Sequence, residues 1–251
     1  MAITINLGGK NALITGGTRG IGRTISVRLA EAGARVGMLY RSNSAAAEET
    51  LRILASVAPK DHFAIQTDIA DREQTHAAIK EIIDRTEGKL DILVLNAASG
   101  GAGRVAEISP EDWERAFDVN VHGHQHILRS AFPAMQGGGA VVFISSGAGH
   151  DPIAGLGAYG ASKAAVNHMA AVLAQEWGPH GIRVNVVSPG HTAMNPVDYH
   201  NLTEKQKGIL EETALRRIGT PDDVANAVLL LVSDLAGFVT GQAVRVNGGR
   251  I

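Results

Sequence analysis

Thr15-Gly16-Gly17-Thr18-Arg19-Gly20-Ile21-Gly22 lies directly after the apolar run Ala12–Ile14 and directly before a helical pattern. This is the strand–turn–helix context that a phosphate-binding turn requires. Glycine lets the backbone turn tightly and approach a pyrophosphate, while the free N–H groups and positive dipole end of the following helix stabilise the anion. Gly16, Thr18, Arg19, Gly20, Ile21 and Gly22 are therefore candidate nucleotide contacts. The same glycines also suit a tight βα turn with no ligand, and their spacing is not the G-x-G-x-x-G form. The rest of the chain has to decide between the two.

Outward from this turn, short apolar runs alternate with longer helical patterns. Ala12–Ile14, Ala34–Tyr40, His62–Gln66, Leu90–Leu95, Ala140–Ser145, Ile182–Val187 and Gln242–Val246 read as strands. Most are nearly continuously apolar, as parallel strands covered on both faces must be. Helical patterns run from Gly20 to Ala32 before Gly33, from Ser44 to Val57 before Pro59, and from Asp71 to Glu87 before Gly88. Others begin near Ser109-Pro110 and Pro221-Asp222, each a cap residue next to a first-turn residue. The fold class is α/β, a single-domain doubly wound parallel sheet with helices on both faces. A length of 251 residues with 45% hydrophobic side chains suits one such core. Gly100, Gly101 and Gly103 mark a flexible stretch, and a substrate-side loop is expected over 191–203.

The net charge of -2 gives no long-range attraction to nucleic acid or anionic lipid, so neither partner is expected. The chain has no cysteine, which excludes disulfides, a thiolate nucleophile and a zinc ribbon, and a cytoplasmic location is expected. Met1 to Lys10 lacks an export-signal pattern, and the apolar run Val224 to Val232 is about half a membrane span.

The second strand ends Leu39-Tyr40-Arg41-Ser42, with no carboxylate to accept a ribose 2′-hydroxyl. Arg41, with Arg19 and Ser42, offers charge-assisted donors to a 2′-phosphate instead, so NADP(H) is the expected cofactor. Read in isolation, Arg41 is equally an ordinary solvated arginine. Later, Tyr159 and Lys163 open an alanine-rich helical stretch four residues apart and share one face. Free tyrosine titrates near ~10, and an adjacent ammonium is expected to lower that value toward useful proton exchange. Without other motifs, this pair is more often a packing residue beside a solvated charge.

Those other motifs are present. Thr15 to Gly22, Asn96-Ala97-Ala98, Asn120-Val121, Ser145-Ser146, Tyr159 with Lys163, Ser188-Pro189-Gly190, and Thr240-Gly241 followed by Asn247-Gly248-Gly249 occur in one order. Over nearly its whole length the chain resembles the short-chain dehydrogenase/reductase family. The resemblance implies a strand order that reverses at the first strand, and an oxidoreductase that interconverts a carbonyl and an alcohol. It implies Tyr159 as proton donor and acceptor, with Lys163 lowering its pKa and holding the nicotinamide ribose. Ser146, 13 residues before Tyr159, would orient the substrate oxygen. Asn120 would hold a relay water, its alternative being a helix residue bonded to backbone. It also places Asp68 and Ile69 near the adenine, Asn96 and Ala97 behind the glycine turn, and Pro189, Gly190 and Thr192 at the nicotinamide. A homotetramer is implied as well, paired through the helices beginning near Ser109 and Gly157.

Two departures qualify the resemblance. His191-Thr192-Ala193-Met194 follows Pro189-Gly190, where relatives commonly place the contacting threonine slightly later. Asn96-Ala97-Ala98-Ser99 lacks the glycine usual after the Asn-Ala pair, a form shared with some enoyl-reducing relatives. Reduction of a C=C bond is thus the alternative activity, and a catalytically silent nucleotide sensor is the alternative class. His122-Gly123-His124-Gln125-His126 looks like a metal cluster, but on a helix His124 points away from the other two and no metal is expected. His150 is left without a role. Candidate substrates are a 3-oxoacyl thioester, a small ketone, a sugar-derived carbonyl or a steroid-like alcohol.

Overall fold

The computed structural model describes residues 4–250, so the first three residues of the N-terminal stretch lie outside it. Seven strands form one parallel sheet: β1 (Asn11–Thr15), β2 (Arg35–Tyr40), β3 (Phe63–Gln66), β4 (Ile92–Leu95), β5 (Gly139–Ile144), β6 (Ile182–Pro189) and β7 (Ala243–Val246). Their spatial order is β3-β2-β1-β4-β5-β6-β7. The chain leaves β1 toward one edge, returns, and leaves β4 toward the other, which is the reversal expected at the first strand. At such a switch point the connections diverge and open a crevice beyond the carboxyl ends of the strands.

The continuous apolar runs have a direct cause. Successive strand side chains point to opposite faces, and both faces are covered. In β4, Leu93 and Leu95 join the core under α3 (Arg72–Arg85), α5 (His124–Met135) and α6 (Gly157–Trp177). Ile92 and Val94 join the core under α1 (Gly20–Glu31), α2 (Ser44–Val57) and α8 (Pro221–Val232). Two shorter helices, α4 (Pro110–Phe117) and α7 (Glu204–Glu212), complete the set. Asp71 caps α3 by accepting the Glu73 and Gln74 N–H groups, so the helix begins one residue later than its pattern.

Strand limits differ from the sequence reading where side chains or other elements take over the backbone bonds. His62 is not in β3, because its Nδ1 accepts the Val36 N–H at 3.0 Å in place of a ladder carbonyl. Burial lowers its pKa and keeps the ring neutral for that bond. Leu90 precedes β4 because its N–H bonds the Ala134 carbonyl, 3.0 Å away. Helix α7 had no counterpart in the sequence reading, since it is largely solvated and carries no fully buried side chain.

The turn after β1 depends on two glycines. Gly16 has a φ of 64°. A Cβ on Gly22 would lie 2.1 Å from the Gly16 carbonyl oxygen, so only glycine lets α1 start this close to the strand end.

Candidate active site

The α1 N-terminus opens onto a cavity of about 930 Å³. It is lined by Gly16, Thr18, Arg19, Gly20, Ile21 and Gly22 from the turn, Arg41 and Ser42 after β2, Asp68 and Ile69 after β3, and Asn96 and Ala97 after β4. Every cofactor residue read from the first half of the chain therefore faces one space. A Cβ on Gly16 would sit 3.1 Å from the Asn96 amide nitrogen, so glycine is what lets the turn pack this closely on Asn96. Arg19 and Arg41 are exposed and form no ion pair among the described residues. Asp68 is neutralised by a forked pair of bonds from Arg115, 2.9 and 3.2 Å long. The far end of the cavity is thus cationic and suits a phosphorylated ribose.

Thr15 and Asn96 hold the crevice together. The buried Thr15 Oγ1 accepts the N–H groups of both Asn96 and Ala97, each at 2.9 Å. In return the Asn96 side chain donates to the carbonyls of Thr15 and Gly16, at 2.9 and 3.2 Å. Where the two central strands stop pairing with each other, side chains continue the pairing.

A second cavity, about 300 Å³, adjoins the first through Ile21, Asn96, Ala98 and Met194. Ser146, Tyr159, Lys163, Pro189, Gly190 and Thr192 all line it. Tyr159 and Lys163 stand one turn apart at the start of α6. Ser146 follows β5 in extended conformation, lies beside Tyr159 in the smaller cavity, and accepts the Ala148 N–H at 3.2 Å. Lys163 is 1% exposed and its Nζ donates to the Ile144 carbonyl at 2.7 Å. The ammonium lies over the face of the Tyr159 ring, 5.7 Å from its centroid.

The electrostatics differ from the sequence expectation. Burial raises the Tyr159 pKa, and the neighbouring Ser146 hydroxyl opposes that shift; Lys163 does not lower it here. Burial also pulls Lys163 down to about 8, because an ammonium in this dry position has lost its hydration.

Asn120 lines neither cavity. It is fully buried within a π-helical turn, Asp118–Gly123, a geometry that often accompanies functional positions. Its Oδ1 accepts the Ser99 N–H at 2.8 Å, and its Nδ2 donates to the Ser99 carbonyl and the Ser162 hydroxyl, at 3.0 and 2.9 Å. Ser162 in turn donates to the Tyr159 carbonyl at 2.7 Å, which links Asn120 to the reactive helix. Thr192 Oγ1 donates to the Gly190 carbonyl at 3.3 Å. The three clustered histidines go separate ways. His122 pairs with Asp118 on the surface, His124 is buried against the Ala97 carbonyl, and the His126 Nδ1 is buried without a partner. His150 bonds the Ser188 hydroxyl at 2.9 Å.

His191 and Met194, from the loop expected on the substrate side, line the smaller cavity. Several site residues escaped the sequence reading: Arg115 lines the larger cavity, and Thr15, Ser162 and His124 brace residues that line one or the other. No local pattern marks them, since each acts on a partner distant in the chain.

A glycine turn at the switch point of a parallel sheet, beside a half-buried serine and tyrosine and a buried lysine, defines a class: a nicotinamide-dependent oxidoreductase of carbonyl and alcohol groups. The chain belongs to the short-chain dehydrogenase/reductase family. The family profile described as enoyl-(acyl carrier protein) reductase matches residues 16–250. The chain is 36% identical to the 3-oxoacyl-[acyl-carrier-protein] reductase FabG of Staphylococcus aureus over 96% of its length and 97% of the relative's. A 7α-hydroxysteroid dehydrogenase complexed with NADH and 7-oxo glycochenodeoxycholic acid superposes with a TM-score of 0.92, at 33% identity, covering 100% of this chain and 98% of that one. A blue fluorescent protein from a metagenomic library, in complex with NADPH, gives 0.89 at 35% identity, with 97% and 98% covered.

Replacing Thr15 with Val keeps the shape and removes the acceptor of two N–H groups. At about 1–3 kcal/mol for each of the two donors left unsatisfied, denaturant unfolding should show a loss of roughly 2–6 kcal/mol. A variant as stable as the parent would show that this contact does not hold the crevice.

Proposed function

We propose that this protein is an NADP(H)-dependent reductase of carbonyls, 3-oxoacyl-reductase-like, that also runs the reverse alcohol oxidation. The observation that carries this reading is the meeting of Ser146, Tyr159 and Lys163 in a cavity continuous with the dinucleotide crevice. The nicotinamide, when bound, supplies or accepts the hydride. The chain's own residues handle the oxygen and its proton. Ser146 Oγ–H donates to the carbonyl oxygen and orients it. The Tyr159 hydroxyl gives its proton to that oxygen as it becomes an alcohol, and takes it back in oxidation. The phenol is protonated near neutrality, as a proton donor to the carbonyl oxygen must be, and burial raises its pKa further in the protein without ligand. Lys163 holds the ribose and returns positive charge to the phenolate as it forms, with Asn120 bracing the path behind it.

The 3-oxoacyl assignment is supported by the 3-oxoacyl reductase relative, while the steroid dehydrogenase keeps a hydroxysteroid among the candidates. Enoyl reduction is the second reading. It is favoured by the profile's description and by Asn96-Ala97-Ala98-Ser99. A cofactor-consumption assay over 3-oxoacyl thioesters, enoyl thioesters, small ketones, sugar-derived carbonyls and oxosteroids separates these. The proposed function requires turnover of a carbonyl compound, and turnover of enoyl thioesters alone would replace it with the second reading.

The proposed assembly is a homotetramer of dihedral symmetry, which needs two distinct interfaces. Two exposed apolar faces supply them: the outer side of α6, with Ala161, Ala164, Ala171 and Val172, and the region of Leu230, Leu235 and Phe238. Sedimentation at micromolar concentration should give four subunits, and a monomer would contradict this.

Tyr159→Phe should keep ring packing and NADPH affinity while turnover falls at least ~10²-fold, the low end for lost general acid catalysis. Near-normal turnover removes Tyr159 from its role. Arg41→Ala should weaken NADPH about tenfold or more and leave NADH nearly unchanged, because a charge-assisted bond is worth roughly 1.5–3 kcal/mol. Equal weakening of both cofactors, or a parent that prefers NADH, would overturn the NADP(H) assignment.

A further inference from the structure

His124 is fully buried, yet neither the nucleotide cradle nor the reactive triad accounts for it. Its Nε2 lies 3.1 Å from the Ala97 carbonyl oxygen. A carbonyl can only accept, so Nε2 carries the proton and the ring is the Nε2–H tautomer. Nδ1 is left as a buried acceptor with no partner, a cost the fold sustains for the sake of the other bond. The ring packs edge-on against Phe143, with centroids 5.9 Å apart. Burial first, and the nearby Lys163 ammonium second, hold its pKa at about 3.

We propose that His124 is a positioning residue for cofactor binding: a buried donor that fixes the peptide after Ala97 where the two cavities join. The inference rests on the dinucleotide reading of the crevice. Ala97 is gripped at both ends, its N–H by Thr15 Oγ1 at 2.9 Å and its carbonyl by His124. Four residues before His124, Asn120 grips Ser99 in the same manner through both backbone groups. One helical stretch therefore clamps alternate residues, 97 and 99, of the segment that leaves β4. Ala97, Ala98 and Ser99 all line the larger cavity, and Ala98 also lines the smaller one. A shift of that segment would move the floor beneath the ligand without touching Tyr159. A histidine of ordinary pKa would serve badly here, since a second proton on Nδ1 would place an imidazolium beside Lys163.

Calorimetric NADPH titration of the parent, His124→Leu and His124→Gln tests this. The Leu variant loses the donor and should bind NADPH at least tenfold more weakly. The Gln variant keeps an amide N–H of similar reach and should stay within about threefold of the parent. A folded Leu variant with parental thermal midpoint and parental NADPH affinity overturns the proposal, as does a Gln variant no better than Leu. If the Leu variant does not fold, ¹⁵N NMR of the parent still decides. The His124 ring should show the Nε2–H tautomer, remain neutral down to about pH 4, and shift when NADPH binds. An Nδ1–H tautomer, titration near the ordinary histidine value, or resonances unmoved by NADPH would each overturn it. A parent that binds no NADPH would instead remove the dinucleotide reading itself.

Discussion

Two parallel strands that feed connections in opposite directions must part at their carboxyl ends, and the parting leaves backbone groups with no ladder partner. Thr15 and Asn96 resolve that constraint with four hydrogen bonds across the gap. Buried backbone donors and acceptors are costly when unmatched, so this exchange keeps the crevice from closing on itself or fraying. The geometry around it depends on the exchange. Gly16 sits against Asn96, Gly22 sits against Gly16, and α1 takes its direction from both. On the other side, the segment after Ala97 leads to the residues held by Asn120 and His124. A ligand cradle is thereby built from backbone whose own hydrogen-bonding needs are met from behind.

The reactive end is dry in the same way. Lys163 carries an ammonium at 1% exposure with the Ile144 carbonyl as its hydrogen-bond partner, and His124 stays neutral nearby. A lysine so placed is easily discharged, which is why its pKa falls to about 8. An electron-rich oxygen in the smaller cavity would restore a partner for that charge. The raised pKa of Tyr159 belongs to the protein without ligand, and a ligand that adds polar contacts would change the balance between burial and hydrogen bonding.

The strands and the turn were legible because their signals are local. Apolar continuity in Ile92–Leu95 follows from burial on both faces, and the glycines of Gly16–Gly22 mark a strand end that must approach a helix start. The cap at Ser109 and the exposed Arg41 at a strand end are equally local. What could not be read depends on partners far along the chain. Thr15 looks like an ordinary β-former until Asn96, 81 residues later, is beside it. His124 sits in a histidine-rich run whose neighbours face solvent or other helices, and nothing in that run shows that Ala97 lies within its reach. The π-helical turn at Asp118–Gly123 has no compositional mark, and α7 escaped notice because it buries no complete side chain. The depression of Tyr159 expected from an i, i+4 lysine failed for a related reason. Sequence spacing gives adjacency, whereas burial and the Ile144 carbonyl decide where the ammonium points.

The central claim is that the crevice braced by Thr15 and Asn96 is a nicotinamide dinucleotide site leading to Tyr159. A crystal structure of the protein grown with NADPH tests it most directly. The account predicts one dinucleotide with its 2′-phosphate at Arg41 and Arg19, its pyrophosphate at the glycine turn, and its nicotinamide beside Tyr159 and Ser146. A nucleotide bound elsewhere, bound in the reverse direction, or absent at millimolar concentration would contradict it.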